Sequence, residues 1–381
     1  MKKIIIIIFI LLLTGCYNYR ELNNLDIISS IGIDYKKNMY EVSVQVLNGK
    51  QSKDSEDSQI IVYSAKGKTI NDALRNIYSK TSKELYRGHV SNLILSDKVA
   101  KNSIVNVLDL FERYTDIRDE MNIMVVKNVD AKKVLTVLTT EKIVPSEYIK
   151  LAINNKHLKT GATSSTRLDE FSSNYLKKYI DPVITVISVD NYNKKAKNQS
   201  NITSSNPKTK IIINNIAITK KGKLVDYLNK KETIGYNFIT NNIKNIMIPI
   251  KCDKNNYSSI SIIKSNTKKN ITKNNNTFLI TLNINLKGNI TEYNCNNINE
   301  KVIKKLENKT KIKVNNYINN ALFKQEIVDS EFLGLKRMIY LINNNYNNEN
   351  YKVIIKTKVN INRKGEIKTS LKDKNNESKN K

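Results

Sequence analysis

The chain has 381 residues, 40 % of them hydrophobic, and a formal net charge of +29. That length allows two or three domains, and the apolar content allows each a core. Such a charge ordinarily points to nucleic acid or to an anionic membrane surface, but the lysines are spread along an Ile-, Lys- and Asn-rich chain instead of forming one basic arm, so no nucleic acid is expected as a partner and attraction to anionic lipid stays open.

Met1-Lys2-Lys3 is a short basic start, and Ile4 to Leu13 is an unbroken apolar run. Ten helical residues rise about 15 Å, half of the roughly 30 Å hydrocarbon core, so the run is too short to span. A basic start, a short apolar core and small residues before a cut describe a secretory signal. The closing Leu13-Thr14-Gly15-Cys16 resembles the lipobox of bacterial lipoproteins. Cleavage is expected between Gly15 and Cys16, whose thiol would take a diacylglycerol. No later stretch approaches spanning length, so the remainder is expected to be water-facing.

In chain order, a polar tether over 16–24 leads into a strand containing Ile31-Gly32-Ile33-Asp34. Tyr40 to Val46 alternates strictly and predicts its hairpin partner. After a solvated loop, Ile60 to Tyr63 reads as a strand. Thr69 is placed to cap a helix with Ile70, Ala73, Leu74 and Ile77 on one face. A strand at Val90–Leu95, a helix opened by Asp97, a strand at Met121–Val126 and a helix opened by Asp130 follow. Two helices over 146–180 and a strand at Val183–Val189 close the first half.

Residues 190–210 are Asn, Lys and Ser with almost no apolar content, and they read as a linker or a long exposed loop. Beyond them, strands are expected at 211–218, 224–225, 246–250, 258–263 and 277–286, a helix at 231–243, and a polar hairpin loop at 265–276. A long helix from Asn299 to Gln325 carries Val302, Leu306, Thr310, Val314, Ile318 and Ala321 in one stripe. A short helix and a strand at Tyr351–Ile361 end the domain. The divisions are 1–15 signal peptide, 16–24 lipid-anchored tether, 25–189 N-terminal α+β region with room for two subdomains, 190–210 linker or loop, 211–367 C-terminal α+β domain and 368–381 disordered tail. The class is α+β, multi-domain, with mixed sheets and packed helices.

Chemistry is sparse. The two histidines, His89 and His157, have no companion at triad or metal spacing. There is no Gly-x-Ser-x-Gly elbow, no Gly-rich phosphate loop and no His-Glu-x-x-His. Glu112, Asp116, Asp119 and Glu120 around Arg113 and Arg118 read as a solvated ion-pair cluster. No catalytic residue, metal or cofactor is expected. With Cys16 acylated, Cys252 and Cys295 remain, either as a disulfide, which the extracytoplasmic side permits, or as two thiols.

Leu13 to Asn23, followed by Ile31-Gly32-Ile33-Asp34 and the strand from Tyr40, resembles the Ger(x)C family, the C subunits of bacterial spore germinant receptors. Tyr17 and Asn18 stand where that family usually has Trp and Asp. Tyr86-Arg87-Gly88-His89-Val90, Glu112-Arg113, Gly288 to Glu292, Gln325 and Asp329-Ser330-Glu331-Phe332-Leu333-Gly334-Leu335 extend the likeness in order along the mature chain. The resemblance implies an α+β fold of more than one domain and no catalytic activity. It further implies a lipid anchor on the outer face of the spore inner membrane and assembly with integral-membrane A and B subunits in a receptor for nutrient germinants. The alternatives are a solute-binding lipoprotein of a transport system and, more remotely, a cell-envelope hydrolase.

Overall fold

The computed structural model describes residues 21–48, 60–139, 144–198, 201, 203–252, 256–274, 277–294, 299–344, 346 and 350–362. The expected signal, Cys16, Cys295 and the 368–381 tail lie outside them. The first hairpin joins β1 (Leu25–Lys36) to β2 (Met39–Leu47) through Lys37 and Asn38. Both turn residues take left-handed backbone, φ 50° and 58°, and a two-residue turn of that kind matches the right-handed twist of the flanking strands. β3 (Ile60–Gly67) pairs with β2. Thr69 accepts the Asp72 N–H and caps α1 (Ile70–Ile77), which buries Ile70, Ala73, Leu74 and Ile77 as its spacing predicts.

β4 (Glu84–Tyr86) runs parallel to the start of β1, and β5 (Asn92–Ser96) lies parallel to its middle. α2 (Asp97–Asn102) and α3 (Ile104–Glu112) are separated at Ser103, whose side chain caps α3. β6 (Asn122–Lys127), α4 (Ala131–Leu135), α5 (Pro145–Thr160), α6 (Leu168–Tyr175) and β7 (Val183–Asp190) follow. β5, β6 and β7 are successive parallel neighbours, covered on both faces and therefore apolar on both. One face packs on α1, α2, α3 and α6; the other packs on α4 and α5.

The sheet does not stop at residues 190–210. β8 (Lys210–Lys220) pairs antiparallel with β7, and β9 (Lys223–Leu228) pairs with β8. Among the described residues the order is β3-β2-β1-β5-β6-β7-β8-β9, with β4 on β1. The segment also departs from the expected exposed loop: Ala196, Asn201 and Thr209 are buried. Asn201 donates to the carbonyls of Leu138 and Thr209, and the Leu138 N–H donates to Ala196. Side-chain amides here satisfy backbone that strands and helices satisfy elsewhere, which composition alone does not reveal.

The second sheet has the order β10-β11-β12-β13. It follows α7 (Lys230–Ile239) and comprises β10 (Ile246–Lys251), β11 (Tyr257–Asn274), β12 (Thr277–Tyr293) and, after α8 (Glu300–Val328) and α9 (Leu335–Ile342), β13 (Tyr351–Asn362). The stretch 265–276, expected as a polar hairpin loop, is instead largely strand, since the β11–β12 ladder runs unbroken from Lys264 to Asn274. Its residues are poor strand formers, but β12 alternates cleanly between buried and outward positions and supplies the template. α8 lays Leu306, Thr310, Val314, Ile318, Ala321 and Gln325 against the inner face.

The two sheets meet at Asp181. Its carboxylate accepts the backbone N–H of Glu331 at 2.8 Å and of Lys221 at 3.1 Å, with the Ser330 hydroxyl 3.3 Å away. Ser330 also donates to the Thr219 carbonyl at 2.7 Å, and Lys220 pairs with Asp329 at 2.6 Å. Gln325 accepts the Leu333 N–H at 2.9 Å. The Asp329–Leu335 segment is thus the bridge from the end of α8 to the first sheet, and Phe332, Leu333 and Leu335 are buried in the core they share with Val183, Ile216 and Ile218.

α7 and α8 approach so closely that a Cβ on Gly235 would lie 2.0 Å from the Tyr317 carbonyl oxygen. Gly235→Ala should therefore force the helices apart and destabilise the protein by about 1–3 kcal/mol. A denaturant midpoint unchanged by the substitution would contradict this packing.

Candidate functional site

β5 and β6 are adjacent and parallel, yet their outgoing connections diverge. After Ser96 the chain turns onto one face as α2; after Lys127 it turns onto the other as α4. Such divergence leaves a crevice beyond the carboxyl ends of the strands. A crevice of about 550 Å³ is present there, lined by Asp34 to Lys36 from β1, Ser96 to Lys98 and Lys101, Lys127 to Asp130 and Lys133, and Tyr227 from β9.

Its wall is built by α4, a helix of five residues that is too short to persist alone. The β1–β2 hairpin holds both of its ends. Asp34 accepts the N–H groups of Ala131 at 2.9 Å and Lys132 at 3.0 Å, and Gln45 donates to the Leu135 carbonyl at 2.8 Å. Gly32 permits the approach, because a Cβ there would sit 3.1–3.3 Å from Leu135 and Ala131. The Ile31-Gly32-Ile33-Asp34 signature is thereby explained: the isoleucines fill the core, the glycine admits the helix and the aspartate caps it. Asp130, expected to open this helix, is its N-cap residue but makes no side-chain capping bond.

The carboxylates of the crevice are engaged. Asp130 pairs with Lys36 at 2.9 Å, and Asp97 pairs with Lys101 at 2.6 Å while accepting the Tyr227 hydroxyl. Burial, then the Asp97 carboxylate, push the Tyr227 phenol up, so it stays a donor. Burial raises the Asp34 carboxyl against the two N–H groups that lower it. The Lys127 ammonium lies 4.6 Å from the Tyr227 ring centroid. Buried Ser96 has an unpartnered hydroxyl. Lys98 and Lys127 both line the crevice and add positive charge beside its paired carboxylates. No cluster among the described residues could hold a metal.

The residues singled out from sequence lie elsewhere. Gly15, Cys16 and Cys295 are outside the described residues, as is the side chain of His157. Cys252 is disulfide-bonded. His89 is exposed in the turn before β5, with its ring edge-on to Tyr86 at 5.7 Å. The acidic cluster opens into separate pairs, Arg113 with Asp109 and Arg87 with Asp116, both at 3.0 Å. Ser96, Lys127 and Tyr227 carry no signal in sequence, since they meet only through strands far apart in the chain.

Residues 18–189 match the family model described as "Spore germination protein N-terminal domain", and residues 214–370 match "Spore germination B3/GerAC like, C-terminal". Spore germination protein KC of Bacillus subtilis (strain 168) is 26 % identical over 255 residues, 64 % of this chain and 63 % of that protein, so the match spans just under two thirds of its length. Spore germination protein GerQC of Bacillus cereus is 21 % identical over 276 residues, 70 % of each. The crystal structure of the GerBC protein superimposes with a TM-score of 0.51 at 19 % identity, covering 86 % of this chain and 96 % of that one, which shows the shared fold.

Beside the crevice, Glu41 accepts Lys132 at 3.0 Å and Lys36 at 3.5 Å. Burial works to raise its carboxyl, but these ammonium groups outweigh it and hold it below its ordinary 4.5. A depressed acid stabilises the fold above its unfolded value and loses that contribution as the pH falls through the folded one. Glu41→Gln should thus cost about 0.5 kcal/mol at neutral pH. The difference from wild type should close below pH 4.5, read from urea midpoints across pH; a pH-independent difference would contradict the pairing.

Proposed function

This chain belongs to the GerAC-like family of spore germination proteins, and we propose that it is the membrane-anchored lipoprotein subunit of a nutrient germinant receptor. A role in spore germination follows from the kinship. The observation that carries the finer reading is the order along the chain: a lipobox ending at Cys16, then a family N-terminal domain from residue 18, then the C-terminal domain from 214. Acylated Cys16 would hold the water-facing bodies at the outer face of the spore inner membrane. There they would meet the extracytoplasmic parts of the integral-membrane A and B subunits. Tethering makes that docking effectively intramolecular and raises local concentration without new contacts. Among the described residues no helix is long and apolar enough to cross a membrane.

The role is one of assembly, not catalysis. A solute-binding lipoprotein would have two similar lobes around a hinge, whereas these two bodies are built on sheets of different order and strand number. Cys16→Ala should leave a folded protein that is released from the membrane fraction by a wash at about 1 M salt, where surface charge is screened, and germination should weaken. Undiminished retention after that wash would refute the anchor.

We also propose that Cys252 pairs with Cys295. The two follow the ends of β10 and β12, which reach the same corner of the sheet on either side of the start of β11. With Cys16 acylated, Cys295 is the remaining partner in the chain. Peptide mapping without reductant should recover the two cysteines linked; recovery of Cys295 as a free thiol would refute the pair.

A further inference from the structure

The second sheet has one face against α8 and the core and one face in solvent. On the outward face of β11, β12 and β13 stand Lys264, Lys268, Lys287, Lys352, Lys356 and Lys358, all exposed. From Lys264 onward on β11, up to Asn289 on β12 and along all of β13, every other outward position is Asn, Thr, Leu or Ile; none is Asp or Glu. Register concentrates the charge. Lys264 lies directly opposite Lys287, and Lys268 and Lys356 occupy one row on either side of Asn283. Like charges directly opposed across strands destabilise a sheet, and among the described residues none of the six lysines is in an ion pair.

Composition does not account for this. Around the crevice, Lys36, Lys101 and Lys132 each have a carboxylate. On α8, Lys309 and Lys313 donate to the carbonyls of Lys251 and Pro249 along β10. On the outward sheet face, by contrast, six such lysines stand together on three adjacent strands with no carboxylate among them.

Shape selects the ligand. β12 and β13 pair continuously over twelve residues, from Phe278–Tyr351 to Asn289–Asn362, a face about 40 Å long at roughly 3.3 Å per residue. The ammonium groups are spread over it and do not converge on a pocket, so it suits a planar array of anions, each met by one point charge. Ile354, 40 % exposed, and Leu279 add apolar contact among the lysines. The C-terminal body shares its core with Val183, the first residue of β7. β1 is parallel to β7 through β5 and β6 and begins at Leu25 on that same edge of the first sheet. The start of β1 and the core of the second sheet therefore lie at the same end of the parallel strands.

We propose that the outward face of the second sheet docks on a bilayer rich in anionic phospholipid and holds the C-terminal body against it. This goes beyond the acyl anchor and does not depend on it. The test uses the chain from residue 16 with Cys16→Ser, which carries no acyl group, floated with vesicles of phosphatidylglycerol and phosphatidylcholine or of phosphatidylcholine alone. Binding should require phosphatidylglycerol and disappear at about 1 M salt. Adding K264Q, K287Q, K356Q and K358Q should lower the partition constant by more than about tenfold. The same number of neutralisations on the exposed outer side of α8, K301Q, K304Q, K305Q and K311Q, should lower it by less than about threefold. Circular dichroism of both variants should match the parent. An equal loss in the two variants would reduce the effect to net charge and overturn the proposal. So would soluble polyglutamate binding as tightly as the vesicles with the same dependence on the four sheet lysines, which would make the face a site for an acidic protein.

Discussion

The architecture turns on the Asp181 carboxylate and the backbone that converges on it. A buried or half-buried carboxylate is costly unless its lone pairs are filled, and here they are filled from two directions: Lys221 at the turn of the β8–β9 hairpin and Glu331 beyond the end of α8. Because both donors are backbone, the constraint acts on chain path and not on one side chain. It positions Phe332, Leu333 and Leu335 to be buried with Val183, Ile216 and Ile218. The two sheets are thus joined through a continuous apolar core with a polar clasp at its rim.

A second long-range device follows the same logic at the other end of the parallel strands. α4 is too short to satisfy its own ends, and the first hairpin supplies an acceptor for its N-terminus and a donor for its C-terminus. Asp34 occupies the anion-favouring end of that helix, so the crevice beside it is lined by carboxylates already committed to structure. The crevice and the clasp use carboxylates in the same way, as fixed acceptors for backbone amides 40 to 150 residues away in the chain.

The second sheet shows the opposite balance. Its inner face is an ordinary core of Ile, Leu and Phe under a long helix, while its outer face accepts unpaired like charges on strands that have weak strand propensity. The core compensates for both. Burial of one face fixes the register of all three strands, and the register in turn assembles lysines from three stretches of sequence into one surface.

Much was legible in the sequence. Alternation located the first hairpin, and three-to-four spacing located α1 and the buried stripe of α8, because one-sided burial writes its period directly into the residues. The Leu13–Asn23 stretch, the Ile31–Asp34 signature and the Asp329–Leu335 segment pointed to the family. Three things were not legible. The polar half of β11 is a strand because β12 pairs with it. Residues 190–210 interrupt the composition but not the sheet, because Asn201 and its neighbours satisfy buried backbone with side chains. The crevice draws Ser96, Lys127 and Tyr227 from separate strands. The sequence by itself determined which faces are apolar and which family it joins, since each is a local pattern. Only the tertiary structure decided what Asp34 and Asp181 hold and which lysines stand together, since hydrogen bonding and charge act through space between residues that no sequence window contains.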